Sequence, residues 1–202
     1  DIDVNAKNHN GITALHLACQ HGNFDTVKLL VTKNADVHAL DDNGENVLHY
    51  VAQTLDNGEA ITKLLLEREV DINCLDRRER TALHVACEHG NVEVSRCLIE
   101  KGINIHVVNS KNENVLHYIS KSPADCGEII DMLVTCGINV DVQGNTKSTP
   151  LHYACSYGNI KTVESLLKHG TDVNIKGHCK RTALHYALHF DRQRRTNKSA
   201  FD

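Results

Sequence analysis

The sequence predicts an all-α-dominated repeat solenoid built from stacked helix–turn–helix units, each followed by a β-hairpin. Its clearest support is a tetrapeptide that recurs six times: Thr13-Ala14-Leu15-His16, Asn46-Val47-Leu48-His49, Thr81-Ala82-Leu83-His84, Asn114-Val115-Leu116-His117, Thr149-Pro150-Leu151-His152 and Thr182-Ala183-Leu184-His185. The histidines step by 33, 35, 33, 35 and 33 residues, a period typical of stacked helical repeats. Apolar residues at helical spacing follow each motif, and only two prolines, Pro123 and Pro150, interrupt a 202-residue chain.

Within each unit the elements follow in order. Thr or Asn ahead of the apolar run is a helix cap, because its side-chain oxygen can accept an orphan N–H of the first turn. The first helix ends at Gly22, Gly90 or Gly158 in the odd units, and Asn23, Asn91 or Asn159 then caps the second. That second helix presents Val27, Leu29, Leu30 and Val31, or Val163, Leu166 and Leu167. The polar stretches after Asp36-Val37-His38, Asp71-Ile72-Asn73 and Asp172-Val173-Asn174 suit a hairpin leading to the next cap. Units two and four lack the Gly-Asn turn; Gln53–Gly58 and Lys121–Gly127 are longer there by two residues each and are expected to protrude as loops.

A unit of about 33 residues buries too little surface alone and must stack on its neighbours. This arrangement, and the run from Gly11-Ile12-Thr13-Ala14-Leu15-His16-Leu17-Ala18 to Asn34-Ala35-Asp36-Val37, closely resembles the ankyrin repeat over essentially the whole chain. The resulting division is 1–12, tail and hairpin of a preceding repeat; 13–45, 46–80, 81–113, 114–148 and 149–181, repeats one to five; and 182–202, a partial sixth repeat with a basic tail. The chain therefore reads as an excerpt of a longer array. The resemblance implies a structural role for the six motif histidines, which would bond within the motif and to neighbouring backbone. It also implies two candidate sites of asparaginyl hydroxylation, Asn73 and Asn174, each in a Leu-x5-Asp-aliphatic-Asn setting, Leu65 to Asp71-Ile72-Asn73 and Leu166 to Asp172-Val173-Asn174.

Composition narrows the function classes. Hydrophobic residues are 41% and charged residues 24%, which excludes a disordered chain. No apolar run approaches the length of a membrane helix, so no membrane insertion is expected. Eight cysteines are too few for a secreted disulfide scaffold of this length, and Cys19, Cys87 and Cys155 recur every 68 residues after an alanine. They read as reduced packing residues in a cytoplasmic protein, with the nucleus as the alternative. No phosphate-binding loop, nucleophile elbow or metal-ligand spacing occurs beyond His185 and His189, so neither enzyme activity nor a metal or other cofactor is expected.

Binding is then the expected role: the resemblance implies a non-catalytic scaffold offering hairpin tips and first-helix ends to a protein partner. Residues 1–101 hold 10 Lys+Arg and 17 Asp+Glu, net −7; residues 102–202 hold 12 and 9, net +3. Such a gradient can orient an acidic or extended segment. The candidate contact residues are Arg77, Arg78, Arg80, His89, Lys147, Tyr157, Lys180 and Arg181, with Tyr157 as aromatic anchor, while Phe190, the other aromatic at such a position, reads rather as buried by a final unit. Tyr50, Tyr118, Tyr153 and Tyr186 read as core. Binding of nucleic acid or a small nucleotide ligand is the alternative, disfavoured by the acidic first half. A spacer within a larger channel, receptor or effector is another.

Overall fold

The computed structural model describes residues 3–54 and 56–188. The chain divides into two compact units, Asp1–Ser110 and Lys111–Asp202. Unit one contains α1 (Ala14–Gln20), α2 (Phe24–Thr32), α3 (Val47–Val51), α4 (Gly58–Leu66), α5 (Ala82–His89) and α6 (Val92–Glu100). Unit two contains α7 (Val115–Lys121), α8 (Gly127–Thr135), α9 (Pro150–Tyr157), α10 (Ile160–Lys168) and helical backbone over 183–188.

In unit one the first helices stack α1 on α3 on α5, and the second helices stack α2 on α4 on α6. Unit two repeats the arrangement with α7 on α9 and α8 on α10. The first helices α3, α5 and α7 are buried on nearly every side, and all five residues of α3 are buried. A short helix that is apolar all round has no solvent face to turn outward, so it becomes the middle of the sandwich. Second helices bury one stripe, such as Ile61 and Leu65 in α4 or Ile129, Ile130 and Leu133 in α8. Each fully buried leucine contributes about 1.5–3 kcal/mol. Leu29 and Leu167, expected on that stripe, instead face solvent, Leu29 midway between the buried Val27 and Val31 and Leu167 one position past the buried Leu166. The motif leucines Leu15, Leu48, Leu83, Leu116 and Leu151 are buried, whereas Leu184 is exposed, with no described second helix over it.

The caps form as the sequence predicts, with an addition. At Thr13, Asn46, Thr81, Asn114 and Thr149 the cap side chain meets the N3 backbone, and the N3 histidine returns its ring nitrogen to the cap N–H. Histidine thus fills the place that Glu or Gln takes in the usual capping box. Asn23 and Asn91 cap α2 and α6 through their side chains, but Asn159 makes no such bond at α10. Its amide donates instead to the carbonyls of Ser120 (2.7 Å) and Ser122 (2.6 Å).

Those bonds overturn the expectation of protruding loops in repeats two and four. The longer connections fold inward. Thr54, Ser122 and Cys126 are buried. Asn91 donates to the Thr54 carbonyl, and Asn57 donates to the Gly22 carbonyl at 2.9 Å. Gly22 accommodates this approach because its φ is +63° and a Cβ there would lie 2.2 Å from the Asp56 carbonyl oxygen. The two added residues carry backbone acceptors into reach of the next repeat's asparagine, which satisfies groups that burial would otherwise orphan.

Candidate interaction surface

The expected hairpins are tight fingers, with no strand assigned among the described residues. Each closes on itself and is joined to its neighbour by single bonds. In the second finger the Asp41 N–H donates to Glu45 O (3.1 Å) and Gly44 N–H to Asp41 O (3.0 Å). Asp42 N–H reaches back to Asn10 O at 2.9 Å, and Arg77 N–H to Asn43 O at 2.8 Å. One bond per finger pair is too few for a ladder.

The buried Asp41 and Asp76 hold these fingers in shape. Asp41 Oδ1 accepts the N–H groups of Asn43 and Glu45 at 2.8 Å each. Asp76 Oδ1 accepts those of Arg78 and Arg80 at the same distance. Tyr50, expected as core, is buried and donates its hydroxyl to Asp41 Oδ2 at 2.9 Å.

Arg80 departs from its assignment as a contact residue. Only 9% exposed, it bonds Asp76 Oδ2 through Nε (2.7 Å), Glu88 through one terminal nitrogen (3.0 Å) and Glu45 through the other (3.2 Å). A guanidinium enclosed by three carboxylates braces the finger rather than offering charge to a partner. Burial, followed by the nearby Asp41, pushes the Glu45 carboxyl up despite Arg80. Arg77 and Arg78, next in line, are exposed at the tip. His89 is exposed at the end of α5, and its ring nitrogen lies 2.9 Å from Val85 O, which folds it back on its own helix.

Unit two carries Lys147, Tyr157, Lys180 and Arg181, all exposed. Gln143 Nε2 donates to Lys147 O at 2.6 Å and to Lys176 O at 3.2 Å, which sets two consecutive fingers side by side. Beneath them Lys121 Nζ sits 4.7 Å from the ring centroids of both Tyr118 and Tyr153 and 3.0 Å from Glu113. Tyr153 donates its hydroxyl to the same carboxylate at 2.6 Å. Burial opposes ionisation of Glu113, yet the bonds from Tyr153 and Lys121 outweigh it and lower its pKa.

The sequence reading passed over Lys121 and Gln53. Both stand four residues after a motif histidine, a slot also held by Gln20, Glu88 and Ser156, so the histidine period itself could have found them. Gln20 donates to Gln53 at 2.9 Å, linking the slot between neighbours. Asn73 and Asn174 are exposed. Asn73 Oδ1 accepts the N–H of Asn104 at 2.8 Å, a bond from one repeat to the next, and the N–H of Asn174 donates to Asp172. His189, Phe190 and the basic residues Arg192, Arg194 and Arg195 lie outside the described residues.

The motif histidines are structural. In the Thr repeats the cap N–H can only donate, so Nδ1 of His152 is bare, and Nε2 carries the proton toward Arg181 O at 3.1 Å. His49 and His117 likewise reach Arg80 O (3.1 Å) and Ser148 O (3.2 Å).

Comparison with known proteins places this architecture. The family model for ankyrin repeats (three copies) matches residues 1–76, 54–144 and 116–195. Mouse inversin is 31% identical over 171 residues, 81% of this chain and 16% of its own length. The Drosophila melanogaster transient receptor potential cation channel subfamily A member 1 is 26% identical over 176 residues, 82% of this chain and 14% of its own. The mouse B-cell lymphoma 3 protein homolog is 29% identical over 174 residues, 83% and 37%. The chain thus spans between about a seventh and about two fifths of these relatives.

Proposed function

Because the chain belongs to the ankyrin-repeat family, whose repeats generally mediate protein–protein interaction, we propose that it is a non-catalytic scaffold that binds a protein partner through its finger tips and first-helix ends. The observation that supports this is the finger itself. In the third finger the backbone is fixed by the buried Asp76 and by a bond to the neighbouring finger, while Arg77 and Arg78 there, and Lys147, Lys180 and Arg181 on the later fingers, are exposed. A partner meeting such a surface pays little ordering entropy, which raises affinity without added area. Among the described residues no helix is long and apolar enough to cross a membrane. We propose a setting in the cytosol or nucleus, where the buried packing cysteines Cys19 and Cys87 would stay reduced, and Asn73 and Asn174 are the proposed hydroxylation sites, read by a one-oxygen mass gain.

A photoreactive residue placed at Arg78 or Lys147, and separately at Lys161 on the outer helix α10, tests the reading. Crosslinks to another protein from the finger positions and none from Lys161 are expected; the reverse pattern would move the working face to the second helices. A spacer role draws on the similarity to part of a cation channel, and it predicts no intermolecular crosslink from either face.

A further inference from the structure

We propose, resting on the scaffold reading above, that the two last fingers of unit two and Tyr157 form a docking surface for an acidic, extended protein segment. The charge there has one sign. Residues 142–149 and 173–182 contain Lys147, Lys176, Lys180 and Arg181 and no Asp or Glu. All four cationic residues are exposed. The adjoining helix α9, PLHYACSY, carries no acidic or basic side chain apart from its capping histidine.

The carboxylates of Glu113, Asp141 and Asp172 bond to other groups. Glu113 is held by Lys121 and Tyr153. Asp141 accepts the Thr171 hydroxyl and the Asp172 N–H, and Asp172 accepts the Asn174 N–H. Among the described residues no carboxylate ion-pairs with Lys147, Lys176, Lys180 or Arg181, and their field is directed outward. Fingers 143–148 and 176–181 are neighbours through the two hydrogen bonds that the Gln143 amide donates, one to the carbonyl of Lys147 and one to that of Lys176.

Tyr157 supplies the apolar anchor. It is 51% exposed. Tyr153, one turn earlier on the same face, bonds Glu113 and Thr146, so that face of α9 is the one turned to the fingers. Neighbouring helices pack about 8–10 Å apart, and an extended strand rises about 3.3 Å per residue. Acidic side chains at every third residue of a partner would meet successive fingers, with an apolar residue between them on Tyr157. A protein segment fits better than a nucleic acid, because the same chain carries 17 Asp+Glu against 10 Lys+Arg in residues 1–101, which repels a continuous polyanion.

The test is an amide NMR titration of the whole chain with a peptide of about twelve residues repeating Glu-Leu-Ser, beside its Lys-for-Glu counterpart and an oligothymidylate of similar length. Shifts confined to 143–148, 157 and 176–181 with the acidic peptide alone are expected. The Lys147→Gly/Lys180→Gly variant, which keeps the turn conformation, should raise the dissociation constant about tenfold at low salt. Tyr157→Ala should raise it about thirtyfold, mainly through faster dissociation, and Lys161→Gln on α10 should leave it unchanged. Shifts centred elsewhere, equal binding by the variants, or tighter oligothymidylate binding at the same residues would each overturn the proposal. If the acidic peptide fails to bind while finger-tip crosslinks to a protein still form, this inference falls and the scaffold reading stands; if both fail, so does that reading.

Discussion

Thr162 on α10 is 2% exposed, and its hydroxyl has no hydrogen-bond partner among the described residues. A buried hydroxyl that has left water without compensation costs roughly 1–3 kcal/mol. Replacing it by the isosteric valine should therefore stabilise the chain by about 1 kcal/mol, read as a higher urea midpoint with unchanged slope; a loss of stability would show that the hydroxyl has a partner in solution. Backbone strain is stored at the finger turns. The same turn position is Gly11 and Gly44 in the first two fingers but Glu79, Asn112, Lys147 and Lys180 in the later ones, every one at a φ between 57° and 76°. For lysine that left-handed conformation costs about 1 kcal/mol. Lys147→Gly should thus gain several tenths of a kcal/mol in thermal unfolding, the reverse of the usual loss on introducing glycine. Retention of lysine where glycine is easier is what a contact role for Lys147 and Lys180 leads one to expect.

Among the elements, the third finger shows how far sequence reading reached. The period, the caps and the first-helix core were legible because each depends on a local pattern repeated six times, and the tyrosines after His49 and His117 are buried as read. Arg80 was not legible: its sequence neighbours Arg77 and Arg78 suggested a common basic tip, while its partners Glu45 and Glu88 come from another finger and a helix end. The inward fold of the longer loops was equally hidden, since it depends on Asn91 and Asn159 of the following repeats. Removing Arg80 alone leaves three carboxylates around a nearly buried point, so Arg80→Ala should cost roughly 3 kcal/mol. Adding Glu45→Ala should restore part of that loss, because it removes one uncompensated charge; strict additivity of the two changes would contradict the network. For comparison, Leu83→Ala in the core of α5 should cost about 2–4 kcal/mol from cavity formation, and an unchanged melting temperature would refute its packing.

Across the whole molecule the histidine repeat links folding to pH. Burial lowers the pKa of His16, His49 and His152, and that of His117 to about 4. For His49 and His117, bonds to the carbonyls of Arg80 and Ser148 pull the other way but do not reverse the desolvation. In the unfolded chain each returns to about 6.5. Above that value both states are neutral and the histidines add no pH dependence. Between about pH 6.5 and 4 the unfolded chain takes up protons that the folded chain refuses, so stability falls as pH falls, by up to about 1.4 kcal/mol per pH unit for each histidine whose pKa is fully depressed. Four such residues, placed in both compact units, make the dependence a property of the array rather than of one repeat. The urea midpoint should therefore be flat from about pH 8 to 7 and drop steeply below about 6. His117→Gln should be less stable near neutrality, through loss of the Asn114 cap contact and the Ser148 bond, yet show a shallower acid slope than the parent. A parent midpoint that stays level down to about pH 5, or a variant with the parent's slope, would mean that the ring nitrogens are not held neutral by burial, and the structural role assigned to the repeat would need another basis.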